Sequence, residues 1–223
     1  MKVTIVQGKQ NRMGNLKKEI KLLATKYSTE LKSQIEERTE EMKGDDNSHY
    51  LIYQVLGISG EEGALIDGYQ NKGRFLYKYA GSFLESAATL CFQYSHPEGK
   101  KEKIANPFGQ KPKTFEIDYL VGKDAIEIKW KDATTDGDHI TKEHARVKAI
   151  SQKGLKPIRI MFYYPHRKQA IRIQDTLKTL YAGVKGEYYS GDEAWAFLKK
   201  YTGVDLKNIL TEIVEEKTER HDK

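Results

Sequence analysis

A mixed α/β fold with a small central sheet is the architecture this sequence predicts, and three observations predict it. Apolar residues recur at spacings of three and four over Leu16, Ile20, Leu23, Tyr27, Leu31 and Ile35, the mark of an amphipathic helix. Residues 115–130, FEIDYLVGKDAIEIKW, alternate with period two about Gly122-Lys123, as the arms of a β-hairpin do. A further strand pattern, KPIRIMFYY, opens on Pro157 and is rich in β-favouring residues. The order is helices, hairpin, helix, strand, helices, which surrounds few strands with many helices.

The first helix is expected over about Asn15 to Lys43, and a second over about Ser59 to Tyr94 with a break near Asn71–Gly73, where the NKG triplet interrupts it. His96 to Lys113, rich in Pro, Gly and Lys, reads as a loop. A polar turn at ATTDGD follows the hairpin, then a helix from about His139 to Gln152 and the Pro157 strand. Helices around Ala170 to Tyr181, Asp192 to Tyr201 and Asp205 to Glu216 close the chain. No internal repeat, Pro/Gly linker or low-complexity block divides it, so a single domain is expected.

Composition narrows the function. At 223 residues with 38% hydrophobic content, the chain can bury a sizeable core and is not a disordered segment. No run approaches the roughly 18 apolar residues of a membrane span, no apolar signal core opens the chain, and one cysteine, Cys91, rules out an intrachain disulfide. A cytoplasmic address is the expectation. The net charge of +6 suits an anionic partner such as nucleic acid. There is no Walker-type glycine loop, no zinc-finger cysteine set, and His139 and His144, five apart, fall on different faces of a helix.

The hairpin carries the chemistry. A two-residue turn at Gly122-Lys123 of type II′ pairs Val121 with Asp124. Counting back, Asp118 falls opposite Glu127 and Glu116 opposite Lys129, while Ile117, Tyr119, Val121, Ile126, Ile128 and Trp130 share the other, core-facing side. Like charges at roughly 5 Å repel by about 3 kcal/mol at an effective dielectric near 20, so the fold gains nothing from the acid pair. A divalent cation reverses that sign, and hard Mg²⁺ takes carboxylate oxygens while leaving positions for water and phosphate. Lys129 on the same face would orient or activate a water, or stabilise transition-state charge. The competing reading is a solvated sheet face with an ordinary Glu116–Lys129 pair.

Ile117-Asp118, eight residues, then Glu127-Ile128-Lys129, preceded by a helix bearing an acid and followed by a helix and a strand, resembles the PD-(D/E)xK nuclease superfamily over about Arg74 to Tyr164. IEIKWKDATTDGDHITKEHARVKAI, with KGRFLYKYAGSFLE upstream, is most similar to type II restriction endonucleases of the ApaLI type. Ile117 replaces the proline of the superfamily motif, a position that does not touch the metal. The resemblance implies a restriction-endonuclease-like core, a small mixed central β-sheet flanked by helices, with a long N-terminal helix. One domain over 1–223 would hold an N-terminal helical part (1–57), a catalytic core (74–164) and C-terminal helices (165–223). It implies Mg²⁺-dependent, sequence-specific hydrolysis of double-stranded DNA leaving 5′-phosphate ends, with Asp118 and Glu127 on the metal and Lys129 serving the attacking water. Glu85, on the helix before the sheet and flanked by the small residues Gly81, Ser82, Ala88 and Thr89, is a further catalytic candidate.

DNA contacts are expected after the hairpin. His139, Lys142, Arg146 and Lys153 recur along one face of a helix whose Ile140, Val147 and Ile150 mark the buried stripe. Arg or Lys can read guanine edges, and Asp136 and Asp138 would cap the helix or accept from cytosine amino groups. Lys100, Lys101, Lys103, Lys111 and Lys113 are candidate phosphate contacts. A double-strand cut at a palindromic site needs two active sites, so a homodimer is expected, paired through the N-terminal helix or the helices after Ala170. Two other readings stay open: a structure-selective nuclease of resolvase or repair type, and a non-enzymatic DNA-binding protein.

Overall fold

The computed structural model describes the backbone of residues 2–109, 111–131 and 137–221, and their side chains except 2–11, 137–138 and 219–221. The element order is α1 (Lys2–Glu41), α2 (Tyr50–Val55), α3 (Gly60–Ser95), β1 (Lys100–Ala105), β2 (Thr114–Val121), β3 (Asp124–Lys131), α4 (Gly137–Gln152), β4 (Lys156–Tyr163), α5 (Lys168–Gly183), β5 (Glu187–Ser190), α6 (Asp192–Thr202) and α7 (Leu206–His221). This is the expected mixed α/β architecture, a five-stranded mixed sheet flanked by helices with a long N-terminal helix. Among the described residues no helix is long and apolar enough to cross a membrane.

The chain divides into two compact units. Residues Glu19–Phe83 form one and Met1–Lys18 with Leu84–Lys223 the other. Within the first, Tyr27 of α1 meets Tyr79 and Phe83 of α3 edge-on, at 6.2 and 6.0 Å between ring centroids. The short α2 lies on α3 where Gly63 leaves room for the Tyr53 and Tyr50 rings, and the Tyr53 hydroxyl donates to Asp67 at 3.1 Å. The expected break at Asn71–Gly73 does not occur. A glycine inside a helix costs only about 1 kcal/mol, and Asn71 returns its side-chain amide to the Asp67 carbonyl at 3.0 Å inside the same helix.

In the second unit the sheet order is β1-β2-β3-β4-β5. β1–β2 and β2–β3 are antiparallel, whereas β3–β4 and β4–β5 are parallel, so α4 and α5 are the crossovers of two consecutive βαβ units. Gly122 has φ +56° and Lys123 does not share that sign, and Val121 pairs with Asp124, as a type II′ turn requires. Two strands were not foreseen. β1 lies inside the expected loop, and β5 is a four-residue edge strand after Gly186.

Both faces of this sheet are covered. On one, Ile117 and Ala125 pack with Ala149 and Ile150 of α4, and Met161 packs with Val147 of α4 and Ile173 and Leu177 of α5. On the other, Tyr119 stacks on Phe92 of α3 at 5.5 Å, and Phe162 meets Trp195 of α6 at 4.3 Å. Ile117 and Tyr119 therefore serve opposite faces, against the expectation that they share one. The pairing explains it. Lys100 pairs with Leu120 and Glu102 with Ile117, so β2 carries one more residue than β1 over this stretch, a bulge at Asp118–Tyr119.

Tyr119 is pinned beside that bulge. Its ring stacks on Phe92, its hydroxyl donates to the His96 carbonyl at 2.8 Å, and a Cβ at Gly99 would lie 2.3 Å from the ring. Gly99→Ala should therefore cost about 1–3 kcal/mol through overpacking, read as a lower urea midpoint at unchanged slope. An unchanged midpoint would show that the ring is free to move.

Candidate active site

The ladder between β2 and β3 runs from Val121↔Asp124 through Leu120↔Ala125 to Tyr119↔Ile126 and ends there. Asp118 is the next residue. Its Oδ2 accepts from the Ile128 backbone N–H at 2.7 Å, a carboxylate taking the place a strand carbonyl holds in a regular ladder. That bond ties Asp118 to the segment of β3 carrying Glu127 and Lys129. Lys129 Nζ lies 2.5 Å from Glu127 Oε1. The Glu116–Lys129 pair of the competing reading does not form, because the bulge turns Glu116 toward β1, where Lys101 lies at 2.7 Å and Lys103 at 3.8 Å.

The acid-bearing face is not solvated. Asp118 is 8% exposed and Glu127 4%, under α4. Burial, then the charge of Glu127, pushes the Asp118 carboxyl up to about 7. Burial also opposes ionisation of Glu127, but the nearby Lys129, Arg146 and Arg159 overcome it and hold this carboxyl below its usual range. Lys129 is raised: burial disfavours its charge, and Glu127 and Asp118 more than offset that. It is an ammonium rather than a free amine at neutral pH.

Behind Glu127 lies a buried ionic cluster. The Arg146 guanidinium pairs with Glu127 through Nη1 and reaches Glu143 through Nε at 3.3 Å. Glu143 in turn accepts from Arg159 of β4 at 3.1 Å and from the Tyr181 hydroxyl of α5 at 3.4 Å. Arg159 is wholly buried. The cluster ties β3, α4, β4 and α5 together through two carboxylates, Glu127 and Glu143, bridged by Arg146.

A model of the ApaLI-like restriction endonucleases matches residues 6–215. The chain belongs to that family. No curated protein and no solved structure gave a match. Membership makes this restriction endonuclease a nuclease hydrolase with DNA as its substrate.

Asp118, Glu127 and Lys129 of the endonuclease are brought together, and Glu85 lies at their margin. It sits on α3, 4.0 Å from Lys101, and its charge adds to those raising Asp118. Among the described residues no group of three or more His, Cys, Asp or Glu side chains converges as a ready-made metal cage. Two carboxylates nonetheless fit Mg²⁺, which binds one or two and completes its shell with water and phosphate.

The residues expected on DNA are dispersed. Lys142 is exposed on α4, His139 is half-buried, and Arg146 turns inward to Glu127. Lys101 and Lys103 are solvent-facing but share Glu116. Asp136 lies outside the described residues, as does the side chain of Asp138. Sequence reasoning missed Glu143, Arg159 and Tyr181. Arg159 was visible as a lone cation inside PIRIMFYY, and Glu143 as an acid three residues before Arg146 on the same helix.

Two outcomes follow from these contacts. The Asp118 carboxyl rises from 3.8 to about 7, so the native state keeps its proton to higher pH than the unfolded chain does. Its contribution to stability is full below pH 4 and is lost as pH climbs to 7, at most about 4 kcal/mol. Metal-free Asp118→Asn should therefore melt above wild type at about pH 8 and gain less at about pH 5; a loss at pH 8 would refute the burial argument. Arg146→Ala removes two buried ionic contacts while Lys129 stays on Glu127 and Arg159 on Glu143, and should cost about 1.5–3 kcal/mol, whereas exposed Lys142→Ala should leave the urea midpoint unchanged.

Proposed function

We propose that this chain is a PD-(D/E)xK nuclease working as a type II restriction enzyme: Mg²⁺-dependent, sequence-specific hydrolysis of both strands of duplex DNA, leaving 5′-phosphate ends. The observation that carries the reading is the end of the β2–β3 ladder at Asp118, whose bond to Ile128 N–H holds the carboxylate beside Glu127 and Lys129. An acid pair buried at the cost of one raised carboxyl is poor structural design and good cation design.

On this reading Asp118 and Glu127 hold Mg²⁺, which would supply a Lewis acid and an acidified water. Water oxygen bonds to phosphorus and gives up its proton to solvent, the bond from phosphorus to the 3′ oxygen breaks, the 3′ oxygen takes a proton from solvent and leaves as a hydroxyl, and the phosphate stays on the 5′ side. Lys129, held as an ammonium, donates to the phosphoryl oxygens as negative charge accumulates and orients the water by hydrogen bonding. It is not the base. Arg146 positions Glu127 from behind. Lys142 and the solvent-facing Lys101 and Lys103 supply phosphate contacts, which set affinity and its salt dependence rather than sequence.

A digest of long defined DNA tests this directly. Discrete fragments with ligatable 5′-phosphates should appear with Mg²⁺ and vanish with a chelator. Asp118→Ala, Glu127→Ala and Lys129→Ala should each lower cleavage by at least 100-fold, with binding of the cognate duplex retained in calcium. Undiminished cutting by any folded member of the three would remove that residue from the chemistry, and a smear without discrete fragments would favour structure-selective cleavage.

A further inference from the structure

We infer that the crevice at the C-terminal ends of β3 and β4 takes up one nucleobase of a DNA strand, turned out of its stack. The inference rests on the nuclease reading for its ligand and goes beyond it in assigning a second site. The crevice has a volume of about 400 Å³, within the roughly 300–1,000 Å³ of ligand pockets. Phe162 and Trp195 of α6 line its buried side, at 4.3 Å between ring centroids. Trp130 and Tyr163 line its open side. Tyr163 meets Trp130 edge-on at 6.4 Å and Trp195 at 6.0 Å, yet its own ring stays 50% exposed. A half-open ring between two indoles offers a planar ligand a surface to stack on.

Charge and place identify that ligand. Lys131 and Lys207 line the same crevice against one acid, Asp192, which Lys207 holds at 2.9 Å. The unit around it is basic. The chain's +6 divides into −3 on Glu19–Phe83, with 8 Lys and Arg against 11 Asp and Glu, and +9 on the remainder, which contains the crevice. Rings beside cations suit a nucleic acid strand, since every base presents a π-face and every linkage a negative charge. A neutral aromatic ligand would use the rings alone, and free phosphate the lysines alone. In the parallel register of β3 and β4, Lys131 pairs with Tyr163 two residues beyond the Lys129–Met161 pair, roughly 7 Å along the strand. A nucleotide next to a phosphodiester at Lys129 therefore reaches the crevice. Its base cannot meet a ring while stacked inside a duplex, so it must turn outward.

Tryptophan emission reads this site without cleavage, because Trp130 and Trp195 are the chain's two tryptophans and both line the crevice. At low salt and without divalent metal, a short oligothymidylate should quench that emission, and a strand of equal length made of abasic sites should not. Tyr163→Ala, at an exposed position, should keep its circular dichroism and bind oligothymidylate about fivefold more weakly or worse, the loss of one stacked base. Tyr163→Phe should keep wild-type affinity. A duplex with one mismatched pair, whose base costs less to unstack, should bind the wild type about fivefold more tightly than a fully paired duplex and bind Tyr163→Ala no better. Equal quenching by both strands overturns the site, and so does a mismatch preference that survives Tyr163→Ala. No quenching by either strand also overturns it and leaves the crevice to a ligand other than DNA. A protein that stacks bases but cuts no DNA would sink the nuclease reading and leave the site standing; one that cuts while both strands quench alike would do the reverse.

Discussion

The hydrogen bond from Ile128 N–H to the Asp118 carboxylate governs the geometry around it. An antiparallel ladder normally satisfies such an N–H with the facing carbonyl, and β2 instead offers a side chain at the residue where its register with β1 also slips. The bulge sends Ile117 to the α4 core and Glu116 to the lysines of β1. The side-chain acceptor makes the spacing between Asp118 and the Glu127 strand a property of the backbone. The bond favours the carboxylate, yet burial and the charge of Glu127 outweigh it, and the carboxyl is raised to about 7 with the bond in place. The bond places the carboxyl without keeping it charged. On the proposed reading, that task falls to a cation.

The ionic cluster explains why the other acid behaves differently. Glu127 and Glu143 face Lys129, Arg146 and Arg159, one positive charge in excess, so Glu127 is ionised although it is more deeply buried than Asp118. Environment pushes the two acids apart, one raised to about 7 and one held as a carboxylate. Ionising Asp118 brings the set to neutrality. On the proposed reading, a divalent cation then adds two positive charges, and the phosphodiester of the substrate removes part of that excess. Metal and DNA therefore help each other in, and linkage makes that help reciprocal.

Much of this was legible in residues. The Gly122 turn, the alternation of the hairpin and the helical spacing of α1 are local patterns, and the fold keeps them. The bulge was illegible because FEIDYLV alternates equally well with or without an extra residue. β1, KKEKIA, buries only Ile104; its lysines suit an exposed sheet edge and erase the apolar alternation by which strands are recognised. Arg146 shares a helical face with Lys142, and spacing alone grouped them, yet a long guanidinium stem can bend under its own helix to reach a buried acid. Where a side chain ends was not encoded in its spacing. Its partners decided it, and they came from β3, β4 and α5.

Charge and apolar surface divide along the chain in a way that matches one task. The sheet unit carries +9, and its candidate chemistry lies in the later part of β3, toward the C-terminal end of a parallel pair, where α/β sheets open crevices. The helical unit carries −3 and leaves leucines and tyrosines uncovered. A basic body draws a polyanion from any direction, and the field alone cannot choose which surface it meets. The exposed Lys101, Lys103 and Lys142, the proposed phosphate contacts, all belong to the sheet unit, so the local charges that would make that choice lie on the unit whose net charge favours a polyanion.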